Sequence, residues 1–106
     1  MEMTREELLK LIESKEVIGV DLSGQRLEKI DFTGCRIERT SFKGCELVHC
    51  RFRNAKISWS DFRYAEIQHG TFEGAEIEFS DFYRAFIDGV VIFSGSSFSN
   101  CSLNKT

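Results

Sequence analysis

The chain has 106 residues, a formal net charge of −3, four cysteines and no proline. That length suits one domain. The mild acidity offers no basic stripe for nucleic acid and no cationic surface for an anionic membrane, and no apolar run approaches the ~20 residues that cross a bilayer.

The first element expected is a short helix. Thr4-Arg5-Glu6-Glu7 has the capping-box pattern that opens one. Leu8, Leu9, Leu11 and Ile12 give it an apolar face, and it should end near Ser14 or Lys15. It is short and more acidic than basic, so a lid on the next element is expected rather than a membrane-surface helix. The acidic start carries no signal-peptide core, and the expectation is a soluble cytoplasmic protein.

Val17 and Ile18 lead into a repeat. Every fifth residue from Leu22 to Ile92 is Leu, Ile or Phe, without exception. A period of five fits neither a helix nor a simple strand. The residue two before each of these centres is also small or apolar: Cys35, Thr40, Cys45, Cys50, Ala55, Ser60 and Ala65 are examples, and Gln25 departs. The residue between is polar, as in Asp21, Arg26, Asp31 and Lys56. In–out–in is the alternation of a strand. Two further residues must then turn the chain, and the second is often Gly, Asn or His, types that tolerate positive φ. Each pentapeptide is therefore one short face and one corner.

The centres also set the number of faces. Phe occupies positions 32, 42, 52, 62, 72 and 82, and Ile or Leu occupies 37, 47, 57, 67, 77 and 87. Coils of 15 residues would stack each Phe on an aliphatic residue. Coils of 20 stack Phe on Phe and Ile on Ile, as stacked strands prefer. The chain should be a square β-solenoid of about four coils, rising about 4.8 Å per coil into a rod roughly 20 Å long. Residues 1–18 would be the capping helix and lead-in, and 19–106 the solenoid, with an atypical C-terminal cap from about residue 94.

Val20-Asp21-Leu22-Ser23-Gly24, Ile30-Asp31-Phe32-Thr33-Gly34 and Ser60-Asp61-Phe62-Arg63-Tyr64 resemble the repeats of the pentapeptide-repeat family, whose idealised unit is Ala-(Asp/Asn)-Leu-x-x. The resemblance runs over roughly residues 20 to 104. It implies a right-handed four-sided β-helix. It also implies one functional possibility: long members of the family mimic B-form DNA and bind type II topoisomerases, protecting gyrase from quinolone-type poisons. This chain lacks the continuous acidic flank that such a mimic needs. Lys43, Arg51, Arg53 and Lys56 fill one coil, and Asp61, Glu66, Glu73, Glu76 and Glu78 fill the next. Twenty-residue stacking places Arg53 over Glu73 and Lys56 over Glu76, as axial ion pairs.

After Ile92 the period slips by one: Phe98 and Leu103 continue it, and Ser94-Gly95-Ser96-Ser97 is expected to absorb the extra residue. By the uninterrupted register Phe79, Phe86, Val91 and Phe93 point outward, and Tyr83 joins them. An exposed apolar patch on a small protein marks a partner. The expected partner is a second copy, in a homodimer formed through the C-terminal coil. The alternatives are a tail from Ser94 to Thr106 folding back over the patch, or a foreign protein.

Other candidates yield less. His49 and His69 share one corner, but a metal needs three or four ligands and the next coil offers Gly89. The cysteine spacings match no zinc motif. Cys35, Cys45 and Cys50 fall at inward slots over Ala55, Ala65 and Gly70, as buried thiols. Arg39, Trp59 and Phe79 form a corner ladder, a possible secondary binding site built on Arg39 and Trp59 or simply a stabilising stack. No catalytic dyad converges, and the faces of a filled solenoid offer no pocket. The reading is a non-catalytic protein-interaction scaffold with no cofactor and no metal.

Overall fold

The computed structural model describes residues 2–103. It opens with α1 (Arg5–Glu13), capped by Thr4, whose side chain accepts from the Glu7 amide while the Glu7 carboxylate accepts from the Thr4 amide. The strands follow in order: β1 (Glu16–Ile18), β2 (Arg26–Glu28), β3 (Arg36–Glu38), β4 (Glu46–Val48), β5 (Lys56–Ser58), β6 (Glu66–Thr71), β7 (Glu76–Glu78), β8 (Asp81–Phe82), β9 (Phe86–Ile92), β10 (Ser97–Ser99) and β11 (Ser102–Leu103).

All pairings are parallel, between residues twenty apart until the last coil. The first face stacks β1, β3, β5, β7 and β10, and the third stacks β2, β4, β6 and β9. The second and fourth faces are narrower: single bridges join Asp21, Ser41, Asp61 and Asp81 on one, and Asp31, Arg51 and Thr71 on the other. The protein is a four-sided parallel β-solenoid of about four turns with one N-terminal helix. Its long axis is 33 Å, longer than the rod expected from four coils, because the helix caps one end and a partial fifth coil extends the other.

The narrow faces carry the aromatic columns. Phe32, Phe52 and Phe72 stack at 4.7 Å between successive rings, and Phe42, Phe62 and Phe82 at 4.6 Å. The columns meet edge to face across the core, Phe32 on Phe42 at 5.7 Å and Phe42 on Phe52 at 5.8 Å. These spacings equal the inter-strand repeat, so ring stacking and backbone pairing reinforce one another. Leu8 is buried against the first coil, with Leu11 and Ile12 half-buried beside it, whereas Leu9 faces solvent. The lid is therefore narrower than its sequence pattern.

Corners come in two kinds. After each Phe-type face the centre carbonyl accepts from the amide three residues on, as in Cys35 to Phe32 and Ala65 to Phe62, which closes a β-turn. The polar residue before the centre caps it. Asp21, Asp31, Asp61 and Asp81 accept from the amides of Ser23, Thr33, Arg63 and Tyr83. After each Ile-type face there is no such bond, and bulky residues take the positive-φ position: Lys29, Arg39, His49, Trp59, His69 and Phe79.

The capping carboxylates predict an acid limb. Side-chain and amide hydrogen bonds from Ser23 hold Asp21 below the ordinary carboxylate range, and the Thr33 side chain does the same for Asp31. Partial burial opposes the shift at Asp61, but the bonds from Arg63 outweigh it. A lowered folded value gives stability that is complete above the unfolded value near ~4 and is lost as pH falls through the folded values. Thermal unfolding followed by circular dichroism should be flat from about pH 7 to 5 and fall below about pH 4. Asp31→Asn should flatten that acid limb; an unchanged limb would exclude the cap as its source.

The inward small slots hold polar atoms where the family ideal has alanine. Ser60 Oγ accepts from the Thr40 amide at 3.3 Å, and Ser80 Oγ accepts from the Ser60 amide at 3.1 Å. Each hydroxyl then donates to a carbonyl, Thr40 to Val17, Ser60 to Ser58 and Ser80 to Glu78. Among the described residues no buried side-chain nitrogen or oxygen lacks a partner. This column of hydroxyls bonds successive coils through the core itself.

Two corrections concern the C-terminal end. The period slips at Val90, not in the Ser94–Ser97 stretch. Pairing runs Gln68 with Asp88 and then Gly70 with Val91, so Gly89 and Val90 together oppose His69 in a bulge. Val91 and Phe93 are consequently turned inward. Val91 takes the small slot over Gly70, and Phe93 stacks on Phe72 at 5.3 Å. Ile92, which continued the arithmetic of five, is an exposed residue, and Val90 is 70% exposed.

Candidate functional site

The solenoid's two ends differ. At the N-terminal end α1 lies over the first coil. At the C-terminal end the first and second faces have a fifth layer, Phe98 over Ile77 and Leu103 over Phe82. Among the described residues the third and fourth faces reach their fourth layer, at Ile87 and Phe93. Between them opens an apolar concavity of about 240 Å³, lined by Ile67, Phe82, Ala85, Ile87, Phe93, Phe98 and Leu103. Ile87 is 48% exposed and Leu103 62%, although both are centre residues of their faces. Residues 104–106, where the expected fold-back tail would finish, lie outside the described residues.

Five residues were expected to form an interface there. Phe79, Tyr83 and Phe86 are exposed as expected, but register puts them on different sides of the rod: the corner after the first face, the exit of the second, and the third face. Val91 and Phe93 are instead partly buried and packed against the core at its last layers. Sequence reasoning missed Ile87, Val90 and Ile92 as the exposed apolar residues beside the open end. The signal that marks them is the six-residue step from Gly89 to Gly95, both at positive φ, where every step from Gly19 to Gly89 is five.

The corner ladder is real in part. Trp59 and Phe79 stack at 4.6 Å with rings 7° from parallel. Arg39 is exposed on the same corner, but the cation–π contact among the described residues is Arg84 over Tyr83, 5.4 Å from the ring centre. Trp59 is 63% exposed.

The histidine pair is stacked at 5.2 Å, and His69 Nδ1 accepts from the Val90 amide at 3.2 Å. That bond gives His69 a structural task at the bulge. No group of three or more His, Cys, Asp or Glu side chains gathers among the described residues. Burial pushes the thiols of Cys45 and Cys50 up to about 11, and raises that of Cys35. Cys45 and Cys50 donate to the carbonyls of Leu22 and Leu27 in the coil above. Buried protonated thiols of this kind are poor nucleophiles.

Charges pair along the axis. Arg53 reaches Glu73 at 3.3 Å, Arg26 reaches Glu46 at 3.6 Å, and Arg63 clamps Asp61 at 2.7 Å while approaching Asp81 at 3.9 Å. Lys56 and Glu76 are register partners without an ion pair within 4.0 Å among those described. Being half-exposed, the Arg53–Glu73 and Arg26–Glu46 pairs contribute about 0.2–1 kcal/mol each.

A filled parallel β-solenoid of about four turns with one N-terminal helix defines the class. The sequence profile of the pentapeptide repeat region matches residues 16–82, and the chain belongs to the pentapeptide-repeat family. Two solved structures are similar. One is a pentapeptide repeat protein from the Arabidopsis thaliana thylakoid lumen, 21% identical over 82% of this chain, with a TM-score of 0.45. The match spans 61% of that protein's length. The other is the pentapeptide repeat protein Rfr23 from the cyanobacterium Cyanothece 51142, 12% identical over 94% of this chain and 95% of that one, with a TM-score of 0.44. No curated protein matches the chain. No helix of the described residues is long and apolar enough to cross a membrane.

Proposed function

We propose that this protein is a non-catalytic interaction scaffold that self-associates through its C-terminal coil. The observation that supports this reading is the asymmetry of the two ends. Solenoids cap their terminal coils with polar or covering segments, and α1 does so at one end. Among the described residues, the other end leaves Ile87, Phe98 and Leu103 around an open concavity. The DNA-mimic reading is not adopted: the acidic coil lies against a basic one that carries Lys43, Arg51, Arg53 and Lys56, and Arg53 and Arg63 pair with Glu73 and Asp61, so no continuous acidic flank runs along the rod.

Sedimentation of the 106-residue chain tests the reading. The wild-type chain should show a dimer mass at micromolar concentration. Ile87→Asp should weaken association at least about thirtyfold, the effect of losing a central apolar anchor. Phe86→Asp, on the rim, should have a smaller effect. Phe93→Asp is unsuitable because Phe93 packs against the core on Phe72, and a carboxylate there would disturb the last coil. A wild-type chain that stays monomeric across the accessible concentration range refutes self-association.

A further inference from the structure

The bulge at Gly89 and Val90 separates two registers that the same side chains can fill. In the observed one Val91 takes the small slot over Gly70, Ile92 pairs with Thr71 on the outer side, and Phe93 takes the centre over Phe72. Without the bulge, twenty-residue pairing would put Val90 over Gly70, Val91 beside Thr71 and Ile92 over Phe72. The extra residue would then fall in the corner at Ser94-Gly95, ahead of the pairing of Phe98 with Ile77. Each register buries one valine in the slot and one large apolar residue at the centre. Each turns two apolar residues outward, Val90 and Ile92 in the first, Val91 and Phe93 in the second. A strand patterned this way specifies its register weakly, so one local contact has leverage on the choice.

That contact is His69. Its ring lies against Gly89, where a Cβ would run into it, and stacks on His49 at 5.2 Å. Its Nδ1 accepts from the Val90 amide at 3.2 Å, which only the neutral imidazole can do. Both ring nitrogens of the protonated form are donors, so a proton on His69 sets two N–H groups against one another at the bulge. In the other register Val90 moves into the slot and that conflict is gone. The geometry points to a proton-controlled register switch in the fourth coil. Neutral His69 holds the bulge; protonated His69 shifts the strand toward the five-residue register, which turns Ile92 inward and Val91 outward. Neither register needs a second copy of the chain.

The charged groups around the ring are few. Arg51 lines the same cleft as His49 and His69. Lys29 and Asp31 lie beyond His49, and Arg51 reaches Asp31 at 3.8 Å. On β9 the charge beside Gly89 is Asp88, whose carboxylate accepts from the Gly89 amide at 2.9 Å. Its register partner on β6, Gln68, is uncharged, and Glu46 and Glu66 stand at the far ends of β4 and β6. Asp88 gives an imidazolium at the bulge a counter-charge. Histidine changes charge between about pH 5 and 8, above the acid limb of the capping carboxylates. Both registers keep the four coils folded, so thermal melting does not read the switch.

Methyl resonances of the full chain test it. Ile92 placed over the Phe72 ring is shifted upfield, and Ile92 beside Thr71 is not. Losing one hydrogen bond changes a two-state ratio about fivefold. The ring-shifted Ile92 population should therefore grow about fivefold from about pH 7.5 to about pH 5.5. His49→Gln should keep that titration. His69→Gln should abolish it, because its side-chain carbonyl still accepts from Val90 and takes no proton. Unchanged Leu47 and Ile57 methyl signals check that the inner coils stay folded in each chain. An Ile92 signal that does not move over this range in the wild-type chain overturns the switch. A folded His69→Gln chain that titrates as the wild type does overturns it equally.

Discussion

Replacing Phe52 by Ala is expected to destabilise the fold by about 3–5 kcal/mol. Phe52 is fully buried in the middle of the rod. Its ring stacks on Phe32 and Phe72 at 4.7 Å each and meets Phe42 and Phe62 edge-on at 5.8 and 6.2 Å. Removing it breaks one aromatic column in two and leaves a cavity that the ladders above and below hold open. A solenoid's layers contact only their neighbours, so no distant packing can compensate. The whole stability of a domain this size is about 5–15 kcal/mol, and the variant should melt tens of degrees earlier or fail to fold. Phe93→Ala is the contrast. Phe93 is only partly buried, stacks on Phe72 at the looser 5.3 Å and meets Phe98 at 5.8 Å in a tilted contact, so its loss should cost much less and disturb the last coil chiefly. Urea unfolding of the three proteins measures the difference. Equal losses at the two sites would mean that the columns do not act layer by layer.

That column was legible in the sequence because its cause is local and periodic. A side chain every five residues has to recur on a closed path, and the alternation of Phe with Ile or Leu fixes how many faces close it. The ion pair of Arg53 with Glu73 followed from the same arithmetic. Other features were not written as periodicity. The two kinds of corner differ by one backbone hydrogen bond, and both accept residues at positive φ, so Trp59 and Gly24 look alike to a count of fives. The hydroxyl column of Thr40, Ser60 and Ser80 could be seen only as small residues, since which amide each hydroxyl accepts from depends on atomic spacing between coils. The slip at Val90 was hidden by its neighbours. Val90, Val91, Ile92 and Phe93 are all apolar, so either register offers a plausible centre, and the bulge decides between them. The candidate site moved with that decision, from outward residues on the sides of the rod to centre residues at its open end.

Gly89→Ala should be the second large loss, about 2–3 kcal/mol, and its cause can be separated into parts by a double-mutant cycle. Gly89 has φ of 72°, where an L side chain costs about 1–2 kcal/mol. That cost alone is bearable, since Lys29, His49 and His69 occupy the same corner at positive φ. The added burden is steric. A Cβ at residue 89 would run into the His69 ring, the ring that stacks on His49 and accepts from the Val90 amide. Moving the ring breaks both contacts at the bulge that sets the register of the last coil. In a His69→Ala background the methyl group has room, and the same change should cost only the φ part, about 1 kcal/mol. The cycle should therefore show a coupling of about 1–2 kcal/mol, within the range for residues in contact. A coupling near zero would mean that the ring yields freely and that His69 does not brace the bulge. The same four proteins link stability to association. A loosened bulge releases the half-coil that carries Phe98 and Leu103, so Gly89→Ala should weaken the dimer as well as the fold, and removing the His69 ring should restore part of both.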